Sequence, residues 1–350
     1  MFSYTSACLS DLLRSYGIYV PSLKTEELQK YDCDDEDGQL RVIIKVTPDG
    51  FPPLIVKIKD DRDVSETVFE SQCKFSEALA ESSIPTARIL PVTGENQFVL
   101  RTKIDNRAVF VTAEAFMENE VRSIDMEAAE KMGTLLARSH NVSEERGCHV
   151  SNKVLFDPFE DNALFSALDF LSLSDRMTGE NLLQHRKIAQ EYRRIMAELE
   201  PLRLRPRYAV QGDLSDCNCF FTSDREIGFF DFNNAGDNIL FCDAVMQGIF
   251  VARLMTYPSD RSFSDEDLAT AFFRGYCSVR PFTEEDKKFY PLLRAVIDAF
   301  WVDNIGWSSD NGWSPCKPEA LYTAVENEDS QAVQRKLEEI YSKLTDKHRI

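Results

Sequence analysis

The stretch from Arg207 to Phe232, RYAVQGDLSDCNCFFTSDREIGFFDF, restricts the fold more than any other part of the 350-residue chain. Ala209 and Val210 read as a strand end, Gly212 permits a tight backbone path, and Cys219 to Phe221 with Ile227 to Phe230 read as the two strands of a hairpin. That arrangement projects Asp213, Asn218 and Asp231 toward one place. A carboxylate able to accept a proton, an amide oxygen and a second carboxylate are the hard-oxygen groups that phosphoryl transfer needs around magnesium.

Hydrophobic residues occupy 43% of the positions, enough for two packed lobes or one large domain. A formal net charge of -19 sets the summed field against nucleic acid and anionic membranes, so neither is expected as a partner. The charge is compatible with a cationic small substrate, although solvation of an acidic surface accounts for most of it. No apolar run approaches the ~20 residues that span a bilayer. The N-terminal MFSYTSACLSDLLRSYG lacks a basic stretch ahead of an apolar core, and a cytoplasmic location is expected. Nine scattered cysteines read as reduced thiols, and the close pair Cys217 and Cys219 lacks the histidine or second pair that a zinc site needs.

Along the chain, Cys8, Leu9, Leu12, Leu13 and Tyr16 recur at helical spacing. Leu28 to Cys33, Leu40 to Thr47 and Pro53 to Lys59 then form a meander of three strands, with Asp34-Asp35-Glu36-Asp37-Gly38 and Pro48-Asp49-Gly50 as turns. The first turn is acidic and holds one glycine, so it offers a phosphate little backbone cradle. In the third strand Ile55, Lys57 and Lys59 share one face and Leu54, Val56 and Ile58 the other, which allows a lysine to face a cleft. Val64 to Glu81 is helical, Gln97 to Lys103 and Ala108 to Phe116 are strands, and Asp125 to His140 and Asn181 to Leu202 are amphipathic helices. His140 reads as a helix-end histidine with a structural contact.

Gln211-Gly212-Asp213-Leu214-Ser215-Asp216-Cys217-Asn218, followed by Phe229-Phe230-Asp231-Phe232, resembles the H-G-D-L-H-x-x-N and I-D-F pattern of the aminoglycoside phosphotransferase and choline kinase group. Gln211 and Ser215 stand where that family usually has histidines. Gly133, Leu136, Ala137 and His140 are similar to its G-x-x-L-A-x-x-H helix, and SSIPTARIL to its G-I-P-V-P-like element. The resemblance implies an α+β, bilobal protein-kinase-like fold: a small antiparallel-sheet lobe at residues 1–117 that binds nucleotide, and a larger, mainly helical lobe at 118–350 for catalysis and substrate. It further implies ATP and Mg2+, with Lys57 on the α- and β-phosphates, Glu70 as the partner of Lys57, and the backbone at Glu114 and Phe116 against the adenine edge. Asn218 and Asp231 are the implied metal ligands and Asp213 the implied catalytic base. Asp243 corresponds to a structural aspartate. The implied reaction moves the γ-phosphate of ATP to a hydroxyl of an amino alcohol, an aminoglycoside or a sugar.

All three tryptophans lie in DAFWVDNIGWSSDNGW, between Asp298 and Trp313. Aromatic faces beside carboxylates can hold a cation or a sugar ring, which nominates Asp298, Trp301, Asp303 and Trp307 for the substrate; a packing corner under a loop is the alternative. Two other classes compete with the kinase: a kinase-fold binding or regulatory protein without turnover, and a metal-dependent hydrolase, which the small number of histidines disfavours.

Overall fold

The computed structural model describes residues 2–32, 40–160, 165–253, 262–306 and 319–346. Thr5 caps α1 (Ser6–Ser15) by accepting from the Cys8 N–H, and the buried Leu9, Leu12 and Leu13 give that helix its apolar stripe. Strands β1 (Leu23–Asp32), β2 (Leu40–Pro48) and β3 (Leu54–Asp60) follow, then α2 (Glu66–Glu81), β4 (Leu100–Ile104) and β5 (Arg107–Ala115). The five strands form one antiparallel sheet in the order β1-β2-β3-β5-β4. After α3 (Met126–Arg146) come α4 (Ala167–Ser172), α5 (Gly179–Leu199), β6 (Tyr208–Val210), β7 (Cys219–Phe221), β8 (Ile227–Phe229), β9 (Gly236–Asn238), α6 (Leu240–Arg253), α7 (Asp265–Val279), α8 (Glu284–Ala299), α9 (Val302–Ile305), α10 (Leu321–Glu326) and α11 (Ser330–Thr345).

Period-two alternation gives the sheet two chemically different faces. Val42, Ile44 and Val46 of β2 and Leu54, Val56 and Ile58 of β3 are buried with the α1 leucines and with Val109 and Val111. The opposite face carries Arg41, Lys57, Lys59, Phe110, Thr112 and Glu114, because Arg41 lies opposite Lys59, Ile43 opposite Lys57, Lys57 opposite Thr112 and Lys59 opposite Phe110. Helix α2 covers part of that face with Phe69 and Cys73 against Phe110. Strand β1 begins five residues before the expected Leu28. It is an edge strand whose residues Lys24 to Leu28 are all exposed, so no hydrophobic alternation marks them.

The chain divides into two compact units. Met1–Lys153, Tyr208–Asp237 and Val251–Val279 make the first, which holds the five-stranded sheet, α3, the β7–β8 hairpin and α7. Helices α3 and α7 cross there at Gly133 and Gly275. A Cβ on Gly133 would lie 2.0 Å from Phe272 O, and one on Gly275 would lie 1.9 Å from Glu130 O, so the close approach of the two backbones requires both glycines. His140, fully buried in α3, shares a 2.9 Å hydrogen bond between Nδ1 and the Tyr276 hydroxyl. The second unit is Val154–Arg207, Asn238–Phe250 and Arg280–Ile350. Its core gathers Phe156, Phe170, Ile188, Leu199, Val245, Val296, Phe300 and Leu337. Among the described residues, no helix is long and apolar enough to cross a membrane.

Candidate active site

Strands β3 and β5 and the turn after β8, all within the first unit, bring a charged cluster together. Lys57 Nζ lies 2.9 Å from Glu114 Oε1 and 3.6 Å from Asp231 Oδ1. Arg41, on the same sheet face, places Nη2 2.9 Å from Asp231 Oδ2. Asp231 adopts φ +59°, a left-handed conformation that aspartate tolerates better than most residues and that turns the chain sharply after the hairpin. Burial opposes its charge, but Lys57 and Arg41 outweigh burial and hold its pKa below the usual aspartate value. Lys57 is likewise drawn down by burial, then carried above the usual lysine value by Asp231 and Glu114. Burial raises Glu114 despite the pull of Lys57. Asp231 is thus the lasting anion of the cluster, and Glu114 the more readily protonated partner.

The hairpin β7–β8 pairs Cys219 with Phe229 and Phe221 with Ile227, and its entry loop carries Asp213 and Asn218. Gly212 sits at φ +79°, where any side chain would be strained, and so allows the reversal after β6. Gln211 is 1% exposed and bridges the two halves of the motif. Its Nε2 donates to Asp231 O at 2.9 Å, and its Oε1 accepts from the Asp213 N–H at 2.8 Å. The glutamine therefore connects the loop to the Asp231 turn at the position where the resembled family carries histidine. Asn218 Nδ2 donates to Asp213 O at 3.0 Å, which leaves its Oδ1 with only the Cys217 thiol, 3.9 Å away. Asn234 Nδ2 donates to Asp213 Oδ2 at 2.9 Å. Burial raises the Asp213 carboxyl, with the Asp231 charge adding to it and the Asn234 hydrogen bond opposing it.

Lys57, Asn218 and Asp231 line one cavity of about 500 Å³, together with Arg41, Glu114 and Met117. Asp213 is not among the lining residues; it is tied to the lining Asn218, whose Nδ2 donates to its carbonyl. Asn218 Oδ1 and the Asp231 carboxylate are hard oxygen donors, the type a magnesium ion accepts. No group of three or more His, Cys, Asp or Glu suited to a metal occurs among the described residues. Such a pair fits an ion that draws its other ligands from phosphates and water.

Several residues stand apart from the positions expected of them. Glu70 does not meet Lys57: its Oε2 accepts from the N–H groups of Phe98 and Val99 at 2.9 and 3.0 Å and so holds the segment before β4, while Glu114 takes the lysine. Glu114 lies within β5 opposite Ile55, and the Phe116 N–H donates to Pro53 O at 3.0 Å, so the Phe116 donor is engaged within the protein. Beyond it, Met117 and Glu118 continue the cavity wall. Asp298 is fully buried, with Oδ2 accepting from Arg294 Nε at 2.8 Å, and Trp301 is 5% exposed in the core of the second unit. The packing-corner alternative describes these two residues, both of which are buried. Asp303 is exposed. Trp307 and the acidic turn 34–38 lie outside the described residues. Asp243 is fully buried in the second unit.

Three contributors, Arg41, Gln72 and Asn234, escaped the sequence reading, and a fourth, Lys59, was read only as sharing a strand face with Lys57. Arg41 was signalled by its place in the β2 alternation, two residues before the position opposite Lys57. Lys59 bonds Asn233 Oδ1 and lies 4.5 Å from the Phe69 ring centroid, and burial lowers its pKa to about 8. Gln72 of α2 donates to Asn233 O at 2.8 Å, so that helix steadies the Asp231 turn through an amide. Asn234 had no signal beyond its closeness to the Asp-Phe pair.

A family model described as "Phosphotransferase enzyme family" matches residues 36–286, well over half of the chain. A homoserine kinase from Polaromonas naphthalenivorans (strain CJ2) is 32% identical over 117 residues, 33% of this chain and 35% of that protein. The match therefore spans about a third of that relative's length. Among solved structures, an amicoumacin kinase in complex with AMP-PNP, Ca2+ and Ami has a TM-score of 0.55 at 14% identity, covering 89% of this chain and 88% of its own. A spectinomycin phosphotransferase in complex with ADP and spectinomycin gives 0.51 at 12% identity, with 99% of each chain covered. A microcompartment-associated aminopropanol kinase gives 0.51 at 13% identity, covering 99% of this chain and 97% of its own. These likenesses establish the α+β kinase-like fold that the sequence led us to expect.

Proposed function

We propose, for a chain that belongs to the phosphotransferase enzyme family, that it transfers the γ-phosphoryl group of ATP to a hydroxyl of a small molecule at the cavity of the first unit. The observation that carries this reading is the meeting of Lys57, Asn218 and Asp231 at one cavity, with the Asp213 loop bonded to the Asp231 turn through Gln211. Residues 1–117 serve in this reading as the nucleotide-binding lobe and 118–350 as the catalytic and substrate-binding lobe.

Each side chain has a task that follows from its surroundings. Lys57, kept cationic by Asp231 and Glu114, binds the α- and β-phosphates. Asn218 Oδ1 and Asp231 would hold Mg2+, which would supply charge neutralisation for the transferring group. Asp213 accepts a hydrogen bond from the acceptor hydroxyl through Oδ1, while Asn234 fixes Oδ2 and so sets the direction of the carboxylate. As the hydroxyl oxygen bonds to phosphorus and the bond to the β-phosphate oxygen breaks, Asp213 takes the hydroxyl proton, and ADP leaves. Such acid-base assistance contributes about 10²- to 10⁴-fold.

Homoserine, aminopropanol and aminoglycosides each join a hydroxyl to a basic amine, and kinases named for acceptors of that kind are what this chain is similar to. An amino alcohol is therefore the acceptor class we assign, with a cytoplasmic site of action. The test is ATP consumption with magnesium against a panel of amino alcohols, aminoglycosides and sugars, repeated with Asp213→Asn. The variant should lose turnover at least about 10²-fold while binding ADP as the parent does. Turnover at the parent rate in Asp213→Asn refutes the assignment. Parent protein that binds nucleotide but consumes no ATP with any acceptor supports a binding protein instead.

A further inference from the structure

Arg41 faces the cavity beside Asp231 and has none of the tasks given above. Its Nη2 meets Asp231 Oδ2 while Lys57 Nζ faces Oδ1, so both oxygens of a carboxylate assigned to a divalent cation already have a cation beside them. Arg41 Nε is buried and has no hydrogen-bond partner among the described residues, so part of the guanidinium donor fork is unused. The Arg41 side chain is 38% exposed against 17% for Asp231, which leaves its head room to move while the carboxylate stays in place. On β2 it sits one residue pair from Lys57 along the same face. A planar cation with unmet donors, beside a lysine on the same cavity wall, matches the oxygens of a phosphate chain.

We propose that Arg41 is a movable counter-ion: it holds Asp231 in the nucleotide-free protein, and passes to the phosphate oxygens of the nucleotide as Asp231 takes a divalent cation. The inference rests on the nucleotide and metal assignments made for the cavity. No covalent bond changes; one ion pair replaces another. A lone divalent cation approaching Asp231 meets the repulsion of Arg41 and Lys57, and this opposes binding before nucleotide. A nucleotide brings anionic oxygens that draw the guanidinium away and free Asp231 Oδ2. Arg41 thereby orders the two events and supplies side-chain donors for phosphate.

Isothermal titration calorimetry on the full chain separates the two halves of this exchange. Mn2+ is titrated without nucleotide, and ADP without metal, into the parent, Arg41→Met and Arg41→Lys, each checked for cooperative thermal unfolding. Removing one close charge of this kind is expected to tighten Mn2+ binding and weaken ADP binding by about tenfold each in Arg41→Met. Arg41→Lys keeps the charge but loses the planar fork, so it should weaken ADP binding by about threefold and leave Mn2+ binding within about twofold of the parent. If either affinity in Arg41→Met stays within about twofold of the parent, the exchange is overturned. Should Arg41→Met not fold, an ADP affinity in Arg41→Lys equal to that of the parent overturns it. Parent protein that binds ADP neither with nor without Mn2+ overturns the nucleotide assignment and this inference together, whereas ADP binding by the parent that Arg41→Met matches overturns this inference alone.

Discussion

Replacing Gln211 by leucine removes a side chain that hydrogen-bonds both the Asp213 loop and the Asp231 turn. Its amide donates to Asp231 O at 2.9 Å and accepts from the Asp213 N–H at 2.8 Å, at a position 1% exposed. Leucine fills a similar volume, so the cavity left is small and the cost comes from two part-buried backbone groups left without that partner. An unpaired group costs about 1–3 kcal/mol when fully buried, so Gln211→Leu should lower unfolding free energy by about 2–6 kcal/mol at most. Urea unfolding followed by far-UV circular dichroism measures that loss, provided the slope of the transition is unchanged. Gln211→His supplies a control, because a neutral imidazole has one donor and one acceptor and can address the same two groups. It should recover more than half of the loss, and Gln211→Glu, which has no proton to donate when ionised, should not. A Gln211→Leu protein within about 0.5 kcal/mol of the parent would show that these two bonds carry no net stability, and the bridge would have to be abandoned.

Gly275→Ala should lower stability by about 1–3 kcal/mol or prevent folding, because its Cβ would lie 1.9 Å from Glu130 O, and a calorimetric melt will show whether α3 and α7 can separate to admit it. Burial raises the Asp213 pKa, so the acid limb of kcat/KM should fall above the usual aspartate range; Asn234→Ala removes a hydrogen bond that favours the ionised form and should move the limb to still higher pH. An acid limb that Asn234→Ala leaves in place would detach Asp213 from that bond. The Lys59 pKa is lowered from 10.5 to about 8 in the folded protein, so between those values the unfolded chain binds more protons and stability rises with pH. Lys59→Met should flatten that rise in urea titrations run at pH 8 and pH 10, and an unchanged slope would refute the assignment.

What the sequence disclosed follows from which interactions are local. The alternation in β2 and β3 places Lys57 on the face opposite the core because period two leaves a strand no other choice once one face is buried. The order Asp213, Asn218, Asp231 was legible because a short hairpin fixes their separation. The carboxylate that meets Lys57 was not legible, since it depends on how β5 registers against β3: Glu114 opposite Ile55 puts its side chain beside Lys57, whereas Glu70 on α2 lies where the N–H groups of Phe98 and Val99 bind it. Three-residue strands such as β6 and β9 carry too little pattern to announce their pairing. Asp298 and Trp301 misled in another way. Charge next to an aromatic ring resembled an exposed recognition patch, although Arg294 four residues earlier in the same helix is the partner that lets Asp298 be buried.

The charge of the whole chain and the charge of its cavity point in different directions, and distance decides between them. A formal net charge of -19 favours cationic partners at long range, but fields at an exposed surface fade over about 8–10 Å at ordinary ionic strength. Around Asp231 the paired groups are Arg41 and Lys57, with Glu114 on Lys57, while Glu118, Glu120 and Arg122 also line the cavity; burial presses Glu114 toward its neutral form. In the proposed reading, a divalent cation on Asp231 would take a counter-charge from both basic side chains and leave them facing the cavity as donors. On that proposal an acidic protein holds a polyanionic nucleotide in the cavity while its outer surface attracts a basic acceptor. Raising the ionic strength should therefore weaken the apparent affinity for a cationic acceptor more than that for the nucleotide, and paired KM measurements at 50 and ~500 mM salt test the division, since equal sensitivity of the two substrates would place both in the same field.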